Sequence, residues 1–175
     1  MNSKEKGEFM AVSTELVERI RQQVGDSSPP VSATIDGLLS RRYARAIGED
    51  NPLYFDENYA RERGYDGLVV PPNFLPSYLD WSDGGPEEGL RPDGTPAHEM
   101  QWIPLEGVRI MGGGEEMHFH APVTAGTEVV LTSSLEEVSS RDSRSGLMLI
   151  LKIRNEYVAR DGRPLMTSMR TVLGR

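Results

Sequence analysis

The sequence of 175 residues contains no cysteine. This absence excludes disulfide bonds, catalytic thiols and thiolate metal sites, and it fits a reducing compartment. The chain also lacks any run that approaches the roughly 18–20 apolar residues of a membrane-spanning helix. Residues 1–12 carry no apolar segment of the kind found in secretory signals, and we expect them to form a flexible N-terminus. These absences predict a cytoplasmic protein that does not enter a membrane.

Positive charge is scarce as well. The 19 lysines and arginines are outnumbered by 27 aspartates and glutamates, so the formal net charge is -8. No general basic field exists to attract a phosphate backbone, and we expect no nucleic-acid partner. A few clustered arginines can still hold the phosphate of a small ligand. With 37% hydrophobic and 26% charged residues, the chain fits one globular domain, which we place at residues 13–175.

The first half of the sequence has apolar residues at helical spacing. This pattern predicts four helices, over residues 14–24, 37–47, 56–63 and 71–81. Thr14, Asp36 and Asp56 are placed to cap the first three, and the fourth is rich in aromatic and leucine residues, as a buried helix is. The following residues 82–97, rich in Gly, Pro and Asp, form a loop too long for a plain connection, which is typical of a binding loop or of disorder.

The second half, from Met100 onwards, alternates apolar and polar residues with a period of two. The alternation predicts strands near residues 116–120, 129–133, 147–154 and 165–173. Turns are predicted between them at residues 122–126, 139–146 and 160–164. Consecutive antiparallel strands after a helical half indicate an α+β protein with its helices packed on one face of the sheet.

A carboxylate, a turn and an aromatic side chain make up the most informative loop, residues 48–54. Glu49 supplies the carboxylate and the Asn51-Pro52 pair favours a turn. Tyr54 stands five residues after Glu49, where a general base would be useful. A tyrosine has an ordinary pKa of about 10, so it is a proton donor at neutral pH.

Three segments together resemble the MaoC-type hot-dog dehydratases and hydratases. They read LSRRYARAIGEDNPLYFDENYA at residues 39–60, GYDGLVVPPNF at 64–74 and GEEMHFHAPVTAGT at 114–127. The similarity is greatest to the N-terminal-domain branch, which includes the A-type, non-catalytic subunits of mycobacterial hydroxyacyl-carrier-protein dehydratases. The resemblance implies an α+β hot-dog fold, in which an antiparallel sheet wraps around a long central helix, here Pro71 to Trp81. It also implies that two hot-dog units work together.

The resemblance also implies site residues. Catalytic members of the family carry Asp-x-Asn-Pro-x-His, so Glu49 stands at the aspartate position and Tyr54 at the histidine position. Glu49 is read as a residual catalytic or water-orienting acid, with a solvated loop carboxylate as the alternative; Tyr54 is a candidate acid, with a packed aromatic as the alternative. Backbone N–H groups where the central helix begins could bind a thioester carbonyl oxygen. The candidate substrate-binding residues are Asn51, Pro72, Asn73, Phe74, Tyr78 and His98.

The function implied by the resemblance is that of an acyl-thioester hydro-lyase subunit, of the (R)-specific enoyl hydratase or 3-hydroxyacyl dehydratase type. Because the loop lacks its histidine, we expect a partner hot-dog chain that bears Asp and His to supply the chemistry, in a homo- or heteromer. The substrate is expected on coenzyme A or phosphopantetheine, without a separate cofactor. The alternatives are a non-catalytic acyl-thioester binding or scaffold subunit and a hot-dog thioesterase, in which Glu49 or Asp50 would activate water.

His118 and His120 project to the same side of a predicted strand, and with Gly112 they match the start of a cupin metal motif. The match is weak because no third histidine follows, although Glu116 could serve as a third ligand. We favour a structural or interface role for both histidines and expect no metal. Several arginines could bind the phosphates of a thioester carrier, and the sequence does not choose among them: Arg41, Arg42, Arg45, Arg61, Arg63, Arg154, Arg160, Arg163 and Arg170.

Overall fold

The computed structural model describes residues 10–79, 86–91, 94–96, 100–144 and 146–175. The helices are α1 (Thr14–Arg21), α2 (Gly37–Ala46), α3 (Glu57–Glu62) and α4 (Phe74–Leu79), with 3₁₀ turns at Pro52–Tyr54 and Glu87–Gly89. The strands are β1 (Val31–Thr34), β2 (Ile110–Phe119), β3 (Glu128–Ser143), β4 (Gly146–Ala159) and β5 (Pro164–Gly174). Within the described ranges, no helix is long and apolar enough to cross a membrane.

The helix starts follow the polar caps in the sequence. Asp36 accepts a hydrogen bond from the N–H of Leu39 at 2.7 Å, and Asp56 accepts one from Tyr59 at 3.1 Å, so the predicted caps of α2 and α3 are confirmed. The predicted cap of α1 is wrong by one residue, because Ser13 and not Thr14 accepts from the N–H of Leu16, at 3.2 Å. α1 also ends at Arg21, three residues earlier than predicted.

The five strands form one antiparallel sheet in the order β1-β3-β4-β5-β2. β1 was not predicted as a strand. The predicted turn at 139–146 is wrong, because β3 continues to Ser143 and pairs there with Gly146 of β4. A bulge between Leu135 and Glu137 shifts the pairing register, and such a shift breaks the period of two that the sequence analysis relied on.

One face of the sheet is buried along most of its central strand, β4. In β4 every second residue from Leu149 to Ala159 is buried, including Asn155. At one end this face packs against α1 and the segment around residues 100–110; at the other it packs against α4, Ile35 and Val70. Helices on a single face of an antiparallel sheet are the α+β arrangement that the sequence predicted.

A row of polar side chains crosses the buried face between these two apolar clusters. Ser133, Asn155 and Ser168 are paired across β3, β4 and β5. The hydroxyl of Ser133 donates to Asn155 Oδ1 at 2.7 Å, and Asn155 Nδ2 donates to Ser168 Oγ at 3.2 Å. Asn155 and Ser168 are buried, so these bonds satisfy polar groups that water does not reach.

The helix expected at Pro71 to Trp81 is shorter at its start than predicted. α4 begins at Phe74, after a turn in which the N–H of Phe74 donates to the carbonyl of Pro71 at 2.9 Å. The expected end at Trp81, like much of the loop at 82–97, lies outside the described residues. At the N-terminus of the described chain, the N–H of Met10 donates to Gly107 O at 2.7 Å and Val12 is buried.

Candidate functional site

The informative loop is held mainly by its own polar groups. After α2, Gly48 adopts a φ of 76°, which favours glycine, and the N–H of Glu49 returns to Ala44 O at 2.9 Å. Asn51 Oδ1 accepts from the N–H of Leu53 at 3.1 Å, which caps the 3₁₀ turn that Pro52 begins. The Asn-Pro pair therefore shapes this turn.

Backbone bonds then join the loop to two distant segments. The N–H of Val69 donates to Leu53 O at 3.1 Å, and the N–H of Val70 donates to Val123 O at 2.9 Å. The N–H of His120 donates to Leu165 O at 2.9 Å, just beyond the end of β2. The loop, residues 69–70, residues 120–123 and Leu165 thus meet at one end of the sheet.

A cavity of about 290 Å³ lies where these segments meet. Its wall is mostly apolar, and it contains two side chains able to exchange or donate protons, Tyr54 and His120. Phe119, with 52% of its surface exposed, belongs to the same wall. The full set of lining residues is Tyr54, Val69, Val70, Pro71, Pro72, Leu75, Phe119, His120, Ala121, Pro122, Val123, Leu165 and Met166.

Tyr54 is half-buried in this wall. Burial raises the pKa of Tyr54 above its ordinary value, and the nearby Glu49 carboxylate and Tyr65 raise it further. A negative phenolate would be poorly solvated there and repelled by Glu49. Tyr54 is therefore a neutral O–H group at physiological pH, suited to donating a hydrogen bond and not to removing a proton.

Glu49 does not line the cavity. Its Oε1 accepts the backbone N–H groups of Asp50 and Asn51, both at 3.1 Å. This carboxylate therefore stabilises the loop that carries Tyr54, and it also acts on Tyr54 through its charge.

His120 lines the cavity, although the sequence analysis did not assign it to the site. Its Nε2 lies 2.9 Å from Thr167 Oγ1 on β5, which leaves Nδ1 for another partner. His118, two residues earlier, lies beside Glu116 at 3.3 Å and is absent from the cavity wall. Only the pairing of β2 with β5 brings His120 towards Tyr54, and no local pattern in the sequence reports that pairing.

The remaining predicted site residues do not form one group. Pro72 lines the cavity, whereas Phe74 and Tyr78 line a separate groove beside β1. Asn73 lines neither; its carbonyl accepts from the hydroxyl of Tyr43 at 3.2 Å. His98 lies outside the described residues. Asn51 acts on the site through the turn it caps.

Few backbone donors remain where the central helix begins. Pro71 and Pro72 have no N–H, and the N–H of Phe74 is already bonded within the turn. The N–H group of Asn73 is the remaining donor among these four residues.

The described residues contain no group of three His, Cys, Asp or Glu side chains that could together bind a metal ion. Glu116 and His118 are adjacent, but His120 bonds Thr167 instead of joining them. The site therefore offers an apolar space with a phenol and an imidazole at its wall.

Comparison with known proteins shows the family of the chain. Residues 22–168 match the family described as FAS1-like, dehydratase domain region. The chain belongs to this family. The resemblance to MaoC-like hot-dog dehydratases, stated from residues 39–60, 64–74 and 114–127, is confirmed.

A UPF0336 protein of Parafrankia sp. (strain EAN1pec) is 34% identical over 100 residues, which span 57% of this chain and 59% of that protein. The match therefore covers less than two thirds of that relative.

Two solved complexes from Mycobacterium tuberculosis share the fold. A chain of the ChsH1-ChsH2 complex has a TM-score of 0.68 at 20% identity, covering 91% of this chain and 88% of its own. A chain of the C-terminally truncated HadBC complex, a 3R-hydroxyacyl-ACP dehydratase, has a TM-score of 0.66 at 24% identity, covering 87% of this chain and 97% of its own. At these identities the similarity establishes the hot-dog fold alone.

Proposed function

We propose that this chain is one hot-dog unit of an acyl-thioester hydro-lyase, of the (R)-specific enoyl-thioester hydratase or 3-hydroxyacyl-thioester dehydratase type. The observation that carries the proposal is the apolar cavity with Tyr54 and His120 in its wall. An acyl group needs apolar surroundings, while the reaction needs a proton carrier and a donor for the thioester oxygen. The family of this chain is a dehydratase family, which supports the same reaction class.

Dehydration removes a proton from the carbon beside the thioester carbonyl and expels hydroxide from the next carbon as water. His120 accepts that proton and returns it to the departing hydroxyl, so the C–H and C–O bonds break, a double bond forms and the imidazole ends unchanged. Tyr54 donates a hydrogen bond to the carbonyl oxygen as negative charge builds on it. The raised pKa of Tyr54 suits this role because the phenol keeps its proton. Hydration follows the same steps in reverse.

The cavity volume of about 290 Å³ is close to the lower limit of ordinary ligand pockets, which favours a short acyl group. The substrate is carried on coenzyme A or phosphopantetheine, and the reaction needs no separate cofactor, because a single group can move the proton. The reaction takes place in the cytoplasm, as the sequence led us to expect.

A second hot-dog chain completes the unit in this proposal. Two neighbours in fold are complexes of this kind, ChsH1-ChsH2 and HadBC. β2 is an outer strand of ten residues with mostly exposed side chains, and among the described residues β5 is its one partner strand, so its other edge can pair with a further strand. The partner would close the exposed side of the cavity near Phe119. If His120 is inert, the partner's own loop would supply the base, as expected from the sequence.

One observation favours a second candidate function, that of a non-catalytic acyl-thioester binding subunit. Glu49 Oε1 accepts two backbone N–H groups and Tyr54 keeps its proton, so neither residue at the two family positions is suited to remove a proton from the substrate. In that case the chain would only bind the acyl group and shape its partner.

The test uses crotonyl thioester, whose hydration is followed by the loss of its ultraviolet absorbance. The purified chain is assayed alone and then with candidate partner chains. Hydration by the chain alone, or a partner rate that falls when Tyr54 is changed to Phe without loss of assembly, supports the hydro-lyase. Partner kinetics that do not change in this variant, together with thermal stabilisation by acyl-CoA, would establish the binding subunit instead. Release of free coenzyme A from a saturated acyl-CoA would show a thioesterase, because a hydro-lyase cannot release it.

A further inference from the structure

A second cleft, of about 460 Å³, lies beside the loop and is lined by Arg41, Arg42, Arg45 and Phe55. The three arginines are on α2 and their side chains are exposed. The guanidinium carbon of Arg45 lies 3.9 Å from the centroid of the Phe55 ring, which holds this cation against an aromatic face. The cleft therefore contains three permanently charged guanidinium groups beside the aromatic ring of Phe55.

These three charges are not balanced by nearby acids, although the chain has a net charge of -8. Among the described residues, none of the ion pairs within 4.0 Å includes Arg41, Arg42 or Arg45. Of the carboxylates closest to them in the sequence, Asp36 caps α2 and Glu49 Oε1 accepts the N–H groups of Asp50 and Asn51. Asp50, five residues after Arg45, is in none of these ion pairs either. Arg41 and Arg45 are four residues apart on one helix, so they repel each other. Unbalanced repulsion of this kind is relieved by a bound anion.

The cleft and the cavity are lined by consecutive residues of the chain. Tyr54 lines the cavity and Phe55 lines the cleft, and their Cα atoms are about 3.8 Å apart. A ligand with a thioester at one end and phosphates at the other could therefore occupy both spaces by passing the 3₁₀ turn at Pro52–Tyr54.

We propose that Arg41, Arg42 and Arg45 bind the phosphate groups at the unreactive end of the acyl carrier whose thioester lies in the cavity. The proposal rests on the proposed function and names the surface that recognises the carrier. Arginine suits it because the planar guanidinium makes paired hydrogen bonds to phosphate oxygens. Phosphate has two sources here, the nucleotide of coenzyme A and the phosphopantetheine arm of a carrier protein.

The experiment measures binding by calorimetry, without turnover, for three probes: coenzyme A, pantetheine 4′-phosphate and pantetheine. The test variant is Arg41→Gln/Arg45→Gln. The control is Arg19→Gln/Arg141→Gln, which removes the same charge from exposed arginines outside the cleft. We expect the test variant to bind coenzyme A about tenfold more weakly, equivalent to about 1.4 kcal/mol, and the control to bind like the unmodified chain. Pantetheine binding should be equal in all three, because it carries no phosphate.

A loss confined to coenzyme A indicates its nucleotide phosphates, and a loss shared with pantetheine 4′-phosphate indicates the phosphate common to both carriers; either result supports the cleft. Equal affinity of test and control variants for coenzyme A overturns the inference, even if the chain hydrates crotonyl thioester. Conversely, absence of hydration with an arginine-dependent affinity for coenzyme A would refute the proposed function and leave the phosphate site standing.

Discussion

Replacing His120 by glutamine tests whether this chain carries its own base. If the imidazole moves the proton at the carbon beside the thioester carbonyl, its loss removes a contribution that is typically 100- to 10,000-fold, or about 3–5 kcal/mol of the activation barrier. Glutamine has no group that accepts and returns a proton at neutral pH. We therefore expect kcat for crotonyl-thioester hydration to fall at least about 100-fold, with a much smaller change in KM.

The effect on folding should be far smaller. His120 is exposed, and its recorded side-chain bond is the one to Thr167 Oγ1 at 2.9 Å. Loss of such a bond destabilises a protein by about 0.5–1.5 kcal/mol, and the amide of glutamine can partly replace it. For a chain of this length that corresponds to a few degrees in Tm. A thermal melt of the variant therefore separates a chemical effect from an unfolded protein.

The matched control is His118→Gln. His118 is a histidine on the same strand, exposed and paired with Glu116 at 3.3 Å, but it does not line the cavity. Its replacement should leave kcat within about twofold of the unmodified value. Equal rates for the two variants would refute the role of His120. The proton-accepting group would then have to belong to a partner chain.

Two further predictions concern Tyr54 and the polar row in the core. Because the folded pKa of Tyr54 is raised, its contribution to stability is complete below the ordinary pKa of about 10 and is lost as the pH rises through the folded pKa. Urea midpoints at about pH 8 and pH 11 should therefore differ more in the unmodified chain than in Tyr54→Phe, and an equal difference would contradict the burial argument. Asn155→Ala leaves two hydroxyls without their buried partner, so urea unfolding should show a loss of about 1–3 kcal/mol. Ser134→Ala, which removes a hydroxyl bonded to Glu136 at the surface, should lose less than about 0.5 kcal/mol; equal losses would show that the polar row does not stabilise the core.

The helix starts that the sequence predicted correctly depend on local chemistry. Asp36 and Asp56 bond N–H groups three residues ahead, so both partners are visible in a short window of sequence. The alternation in β4 is equally local, because the strand buries every second side chain. The resemblance of the loop also identified Tyr54 as a position of interest before its surroundings were known.

The features that were missed depend on contacts between distant residues. β1 is four residues long with no buried side chain, so it has no alternation to detect, and it exists because it pairs with residues 128–131 of β3. The bulge in β3 likewise needs its partner strand to be recognised. His120 lies at the cavity because its backbone N–H bonds Leu165, 45 positions later. His118 has similar neighbours in the sequence but does not line the cavity.

The sequence alone shows that tyrosine replaces the histidine of the loop, which suggests that a partner chain must supply the base. The folded chain shows that a different histidine, His120 after the end of β2, lines the same cavity as Tyr54. Burial and Glu49 keep the phenol of Tyr54 protonated. A base and a neutral donor are complementary in the proposed reaction, whereas a second base at position 54 would not stabilise an enolate oxygen. Because Glu49 repels a phenolate, Glu49→Gln should lower the pKa of Tyr54 while leaving its hydroxyl in place. The role of Glu49 is then to keep Tyr54 a donor, and this role does not require its carboxylate to touch the substrate.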